Sequence, residues 1–217
     1  MNPEFEFVIM DQPELDDYMA SAWGSHPIHT IYRESRFGPM KVDIFRYCLI
    51  YDRGGFYFDI NKGLNIPLRN FLNDKTDALI SYEHDICHIQ TQPNVYPRLL
   101  HPHHFLLNWG FGFVRHHIAL KRTIDNICTH YPSFKGQIFN KPSKAVVKFT
   151  GPNMLTNSLH ETLLENSEMT INQAGINFDG HGVTSMKRSW ARYATAPTYT
   201  RFRDCELFQP AKSATTE

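Results

Sequence analysis

The chain has 217 residues, 41% hydrophobic and 20% charged, an ordinary globular composition with enough apolar material for a core. Lys plus Arg total 22 and Asp plus Glu total 22, so there is no basic excess to suggest a nucleic-acid partner. No run reaches the ~18 apolar residues of a membrane-spanning helix, and the opening Met1-Asn2-Pro3-Glu4 lacks the basic and apolar regions of a secretory leader.

In chain order, residues 5–10 (FEFVIM) read as a strand. Asp11, with Glu14 three positions on, reads as the capping box of a helix running to Trp23, broken at residues 24–27 (GSHP). Residues 42–51 form a helix apolar at most positions, with Asp43 and Arg46 three apart on one face. It stops at Gly54-Gly55, residues 56–58 follow as a buried strand, and Lys62-Gly63 reads as a turn. Residues 77–82 read as a strand, 105–114 as a glycine-bearing alternating segment, and 115–131 as an amphipathic helix. Thr150-Gly151-Pro152-Asn153 opens a helix over residues 154–165, and 169–171 and 175–178 are short strand candidates. Strands alternate with helices, which predicts an α/β fold: a mixed central sheet flanked by helices in one domain over residues 1–209, with 210–217 a disordered tail. Of the four cysteines, none forms a CxxC pair, and Cys48 and Cys128 sit in apolar helical contexts. They read as free thiols in a reducing, cytoplasmic setting.

The segment from Asp43 to Asn61 carries the most chemistry. A helix brings Asp43 and Arg46, a diglycine turns the chain, and a buried strand delivers Asp59 and Asn61 at its end, where open α/β sheets bind ligands. Strand side chains repeat every two residues, so Asp59 and Asn61 share a side. Oxygens at that spacing suit a hard cation, Mn²⁺ or Mg²⁺, bearing a diphosphate. Taken singly, Asp43 and Arg46 also read as a solvated ion pair, and Asp59 with Asn61 as turn residues.

The pattern DIFRY, then GGFYFDIN, resembles the D-x-x-R-Y … G-G-x-Y-x-D-x-D signature of glycosyltransferases with a DxD sugar-binding region, of the GT-A type and similar to glycosyltransferase family 32. Asp43, Arg46, Tyr47, Gly54, Gly55, Tyr57 and Asp59 fall in register with it. Asn2-Pro3, Asn108 within residues 104–117, Gly151-Pro152 with Leu155-Thr156, and Ser189-Trp190 are similar to later landmarks of that family.

The resemblance implies a GT-A-like nucleotide-sugar-binding domain that moves a sugar from a UDP- or GDP-sugar to a glycan or lipid-linked acceptor hydroxyl, retaining configuration and assisted by a metal. Polysaccharide biosynthesis and a cytoplasmic location, at the membrane surface for a lipid-linked acceptor, go with it. It also implies roles. Asp43 and Arg46 contact sugar hydroxyls, and Asp59 contacts ribose or a metal-bound water. Asn61 takes the place of the principal metal ligand. Tyr57 supports the nucleotide, Asn108 faces the sugar, and Ser189 and Trp190 close the site. The sequence departs from the family twice. The last acid of the DxD is Asn61, a neutral ligand that leaves Asp179 or His181 to be recruited to the metal. The family's strand ahead of the Asn-Pro segment is also missing, which predicts an exposed sheet edge. Both departures motivate a second reading, an impaired member that binds a nucleotide or glycan, or serves in a complex. The cluster His101, His103 and His104, with His116 and His117, lacks the i,i+4 spacing of a helical zinc motif and reads as surface and core histidines.

Overall fold

The computed structural model describes residues 2–73, 75–86, 93–184 and 197–209. Helix α1 (Gln12–Trp23) begins at the expected capping box: Glu14 N–H donates to Asp11 Oδ1 at 3.0 Å, and Asp11 N–H donates to Glu14 Oε2 at 2.7 Å. A short helix α2 (Pro27–Glu34), not foreseen, follows. The breaker sequence ends one helix and starts another, because Pro27 sits in the first turn, where its missing N–H costs nothing, and His26 Nδ1 accepts from Ile28 N–H. Helix α3 (Gly38–Arg53) buries Met40, Ile44, Phe45, Tyr47 and Cys48, residues on more than one face, as a helix covered on several sides must.

Gly54 ends α3 at φ 72°, and a Cβ there would lie 2.8 Å from the Arg115 backbone nitrogen, so a side chain is excluded twice over. The chain then enters β1 (Gly55–Phe58). Residues Lys62–Leu64 form a strand, β2, rather than the expected turn. Its partner, β7 (Gly182–Thr184), is far off in sequence and invisible to local pattern. The central strand is β3 (Ala78–Ile86). One edge carries β4 (His104–Leu106) and β5 (Gly110–Phe113), both antiparallel, and β5 in turn pairs with β1. The other edge carries β6 (Asn172–Ile176) in parallel. The sheet is therefore mixed, and with α4 (Ile118–Phe134), α5 (Pro142–Phe149) and α6 (Pro152–Glu165) the chain is an α/β protein. Helix α5 was not foreseen, and the strand candidates at 169–171 and 175–178 resolve into the single β6 between them.

The sheet alternates between two cores. Tyr57, Ala78, Ile80, Tyr82 and Phe111 join the large core under the helices, whereas Phe56, Phe58 and Leu79 meet Leu107, Trp109, Ala174 and Phe178 on the opposite face. After β6 the chain makes a left-handed turn, with Asn177, Phe178 and Asp179 at φ 50°, 54° and 55°. That conformation costs roughly 1–2 kcal/mol per L-residue. Phe178 offsets it by complete burial against Phe58, Phe71 and Trp109.

The expected strand over residues 5–10 does not form. The segment joins no ladder among the described residues, and Phe7, Val8 and Ile9 are 75%, 66% and 77% exposed. Strand propensity needs a partner edge and same-face neighbours before it gives a strand. Cys48, Cys128 and Cys205 are free thiols, and burial raises the Cys48 thiol well above its ordinary value and pushes Cys128 up to about 11, as inert thiols require. Among the described residues no helix is long and apolar enough to cross a membrane. Residues 210–217 and Cys87 lie outside the described residues.

Candidate functional site

Helix α3 and the end of β1 converge where the sequence placed the chemistry. Arg46 is the hub. Its Nη2 lies 3.4 Å from Asp43 Oδ1 and 3.2 Å from Asp59 Oδ1, and its Nη1 donates to the Asn108 carbonyl. The guanidinium also sits 4.7 Å over the Tyr57 ring. Tyr57 O–H donates to Asp59 Oδ1 at 2.8 Å, and Asn108 Nδ2 donates to Asp43 Oδ1 at 3.1 Å. Asp43, Arg46, Tyr57, Asp59 and Asn108 thus form one bonded cluster, drawn from a helix, a strand end and a loop.

Exposure separates their roles. The side chains of Arg46 and Asp43 are 6% and 7% exposed, whereas that of Asp59 is 32% exposed. In this geometry Asp43 and Arg46 form a frame, and Asp59 is the face the frame presents to solvent. Asp43 and Arg46, which the resemblance implies as sugar contacts, are largely buried, and Asp59 is the more exposed of the three.

Thr150 completes the frame. Its hydroxyl donates to Asp43 Oδ2 at 3.0 Å, and its carbonyl accepts from Tyr47 O–H at 2.9 Å. In the sequence Thr150 is marked only by the helix start that it opens. Tyr199 is a second residue that the sequence does not mark: the segment around it returns to α3, where Gly38 N–H donates to the Pro197 carbonyl at 3.0 Å. Burial raises the Tyr199 phenol, and Asp43 and Asp59 add to that while Arg46 opposes it, so the ring feels the cluster's field. Neither residue carries a local motif.

The electrostatics follow from burial. Desolvation pushes Asp43 up to about 7, against the opposing pull of Arg46 and the hydrogen bonds from Thr150 and Asn108. Burial alone would lower Arg46, but Asp59, Tyr57 and Asp43 more than offset it and hold the guanidinium charged. Burial likewise raises the Tyr57 phenol, which therefore donates its proton to Asp59 rather than losing it.

Beyond Asp59 the chain turns, with Lys62 N–H donating to the Asp59 carbonyl at 2.7 Å and Asp59 N–H donating to the Trp109 carbonyl at 2.8 Å. The turn carries Asn61 and hands the chain to β2. Lys62 Nζ sits 5.1 Å over the Trp109 ring and donates to Thr184 Oγ1 at 2.9 Å. Trp109, packed against Phe58 and Phe178, is therefore also a seat for a cation.

The fit of Mn²⁺ or Mg²⁺ can be tested on the donor set. Asp59 Oδ1 already receives Arg46 and Tyr57, and Asn61 is neutral. In the β2–β7 ladder Lys62 faces Thr184 and Leu64 faces Gly182, and His181 bonds Asn65 through both backbone (3.0 Å) and ring (2.9 Å). His181 is thus set at the Asn65 end, four residues from Asn61, on the order of 13 Å along an extended strand. Asp179, exposed, lines an open hollow of about 440 Å³ with Asn70, Phe71 and Asn172, to which Asp59 and Asn61 do not contribute. Among the described residues no group of three or more His, Cys, Asp or Glu could hold a metal ion. One engaged carboxylate and one amide make a poor site for a hard dication.

The histidines behave as surface and core groups. His104 Nδ1 bonds the Glu83 carbonyl at 2.8 Å, and His117 Nδ1 caps α4 by accepting from Ala119 N–H. Burial lowers His117 to about 4. Ser189 and Trp190 lie outside the described residues.

No family model matches the chain, and no curated protein matches it. Solved structures similar to it include one titled "PaToxG Glycosyltransferase", at 15% sequence identity and a TM-score of 0.44. The likeness covers 67% of this chain and 45% of that one, so the matched part spans less than half of that structure's length.

Proposed function

We propose that this chain is a glycosyltransferase that binds a nucleoside diphosphate sugar, a UDP- or GDP-sugar, against Asp59 on a GT-A-like sheet. The observation that carries the reading is the convergence of the signature residues: Arg46 ties Asp43, Asp59 and Asn108 into one cluster, although Asn108 lies 62 residues from Arg46. A chance match to a short motif gives no reason for a distant Asn to join it. In the reaction the bond from the anomeric carbon to the β-phosphate oxygen breaks, and the acceptor hydroxyl oxygen bonds that carbon. The acceptor proton leaves to the departing diphosphate or to water. Asp59, oriented by Arg46 and Tyr57, is placed to accept hydrogen bonds from sugar or ribose hydroxyls. The buried frame keeps that orientation fixed, which is how a site avoids reorganisation during reaction. A glycan or lipid-linked glycan is the acceptor class of this reading.

Asn61 in place of an acid, and the burial of Asp43 and Arg46, favour a second reading, a descendant that binds the donor without transferring the sugar. One experiment addresses both. UDP- and GDP-sugars are titrated into the protein by calorimetry, and release of free nucleoside diphosphate is followed in parallel. Binding with release, both lost in Asp59→Ala, is the expected result. Binding without release establishes the second reading. No binding by folded protein refutes both.

A further inference from the structure

A DxD site works by charge: two carboxylates attract a dication, and the dication attracts a diphosphate. Here the fixed charges are arranged differently. Asp59 is already paired with Arg46 at 3.2 Å, Asn61 contributes no charge, and the next residue is a lysine. Lys62 sits on the turn that Asp59 opens, closed by the 2.7 Å bond from Lys62 N–H to the Asp59 carbonyl, so their Cα atoms lie within about 7 Å. Its ammonium is held by the Trp109 ring at 5.1 Å and by the Thr184 hydroxyl at 2.9 Å. Both partners are neutral, so they orient the charge without cancelling it. Among the described residues no carboxylate is within ion-pair distance of Lys62. Arg46 is buried and already paired with two carboxylates, so the open fixed charge beside Asn61 is that of Lys62. A dication brought there would be repelled by it, and an anion would meet it as a partner.

We propose that Lys62, seated on Trp109 and Thr184, takes the place of the divalent cation and binds the diphosphate of the donor directly. This rests on the nucleotide-sugar reading above. The ammonium would contact the phosphate oxygens as a point charge, a role lysine fills widely at phosphate sites. It would remain beside the diphosphate as the anomeric bond breaks and negative charge gathers on the leaving oxygen. Trp109 is then a positioning residue that keeps the ammonium over the turn, and Thr184 fixes its height.

The test is calorimetric titration of UDP and GDP into the protein in EDTA and in Mn²⁺, repeated for Lys62→Met, Lys62→Arg and Asn61→Asp, with a thermal melt of each to show that it is folded. Lys62 is partly exposed on a short ladder, so Lys62→Met is expected to fold. The expected result is nucleoside diphosphate binding equal within about twofold in EDTA and Mn²⁺, weakened about tenfold in Lys62→Met and largely restored in Lys62→Arg. Affinity should fall with rising salt, and Asn61→Asp should weaken binding in EDTA by placing a negative charge beside the phosphate. Binding that requires Mn²⁺ and ignores Lys62→Met would overturn this proposal while leaving the donor reading intact. Tighter Mn²⁺-dependent binding in Asn61→Asp, with Lys62 still without effect, would do the same. Absence of binding by the parent protein under every condition would overturn both.

Discussion

Asp43 offers the sharpest check on the electrostatics of the frame. In the unfolded chain its carboxyl titrates near 3.8, and in the folded protein burial moves it to about 7. A carboxyl raised on folding contributes stability that is complete below the unfolded value and is lost as pH climbs through the folded one. Each unit of that interval is worth about 1.36 kcal/mol, so the parent should lose about 4 kcal/mol between pH 3.8 and about pH 7 on this account alone. Asp43→Asn removes the titration. The amide has one acceptor oxygen for the two donors, Thr150 and Asn108, which imposes a constant penalty of about 1–3 kcal/mol at every pH. Relative to the parent, the variant should therefore gain steadily from about pH 4.5 to about pH 7 and then level off. Urea unfolding of both proteins across that range reads the difference directly, and the twelve histidines cancel because both proteins have them. A difference that stays flat with pH would refute the reasoning. It would mean that Arg46, Thr150 and Asn108 keep Asp43 ionised throughout.

Two further outcomes follow from the same geometry. Arg46→Met removes the cation that lowers the Asp43 carboxyl, so Asp43 should stay protonated at neutral pH, and the loss of the donor to the Asn108 carbonyl and of the Asp59 partner should cost about 1–3 kcal/mol in chemical denaturation there. Gly54→Ala puts a Cβ 2.8 Å from the Arg115 backbone nitrogen at φ 72°, and should cost about 1–3 kcal/mol in a thermal melt while leaving the charges of the site untouched.

Much of the site was legible locally because its signature is local. The capping box at Asp11, the stop at Gly54 and the strand into Asp59 are decided by neighbours within a few residues, and each stands in the structure. What the sequence concealed depends on distant partners. Residues 5–10 have strand composition but pair with no strand among the described residues, whereas Lys62–Leu64 have turn composition and become a strand because β7 reaches them. Thr150 joins the cluster from the turn between α5 and α6, and the C-terminal segment brings Tyr199 into its field; no spacing rule announces either. Exposure was equally hidden. A helix face bearing Asp43 and Arg46 reads the same whether it meets water or a core, and only packing shows that Asp59 alone of the three is partly open.

The cluster is bound by contacts that span 62 residues from Arg46 to Asn108, 107 from Asp43 to Thr150 and 122 from Lys62 to Thr184. Such contacts repay their loop-closure entropy only after the intervening chain has collapsed, so the site belongs to the late steps of folding. During synthesis the signature from Asp43 to Asn61 emerges early, yet Asp43 and Arg46 have no complete set of partners until Thr150 arrives, and Lys62 has no seat until Thr184 does. A polypeptide cut off before Thr150 would carry the whole motif but neither the hydroxyl that holds Asp43 Oδ2 nor the seat of Lys62, leaving the site half organised in a chain not yet able to close its core.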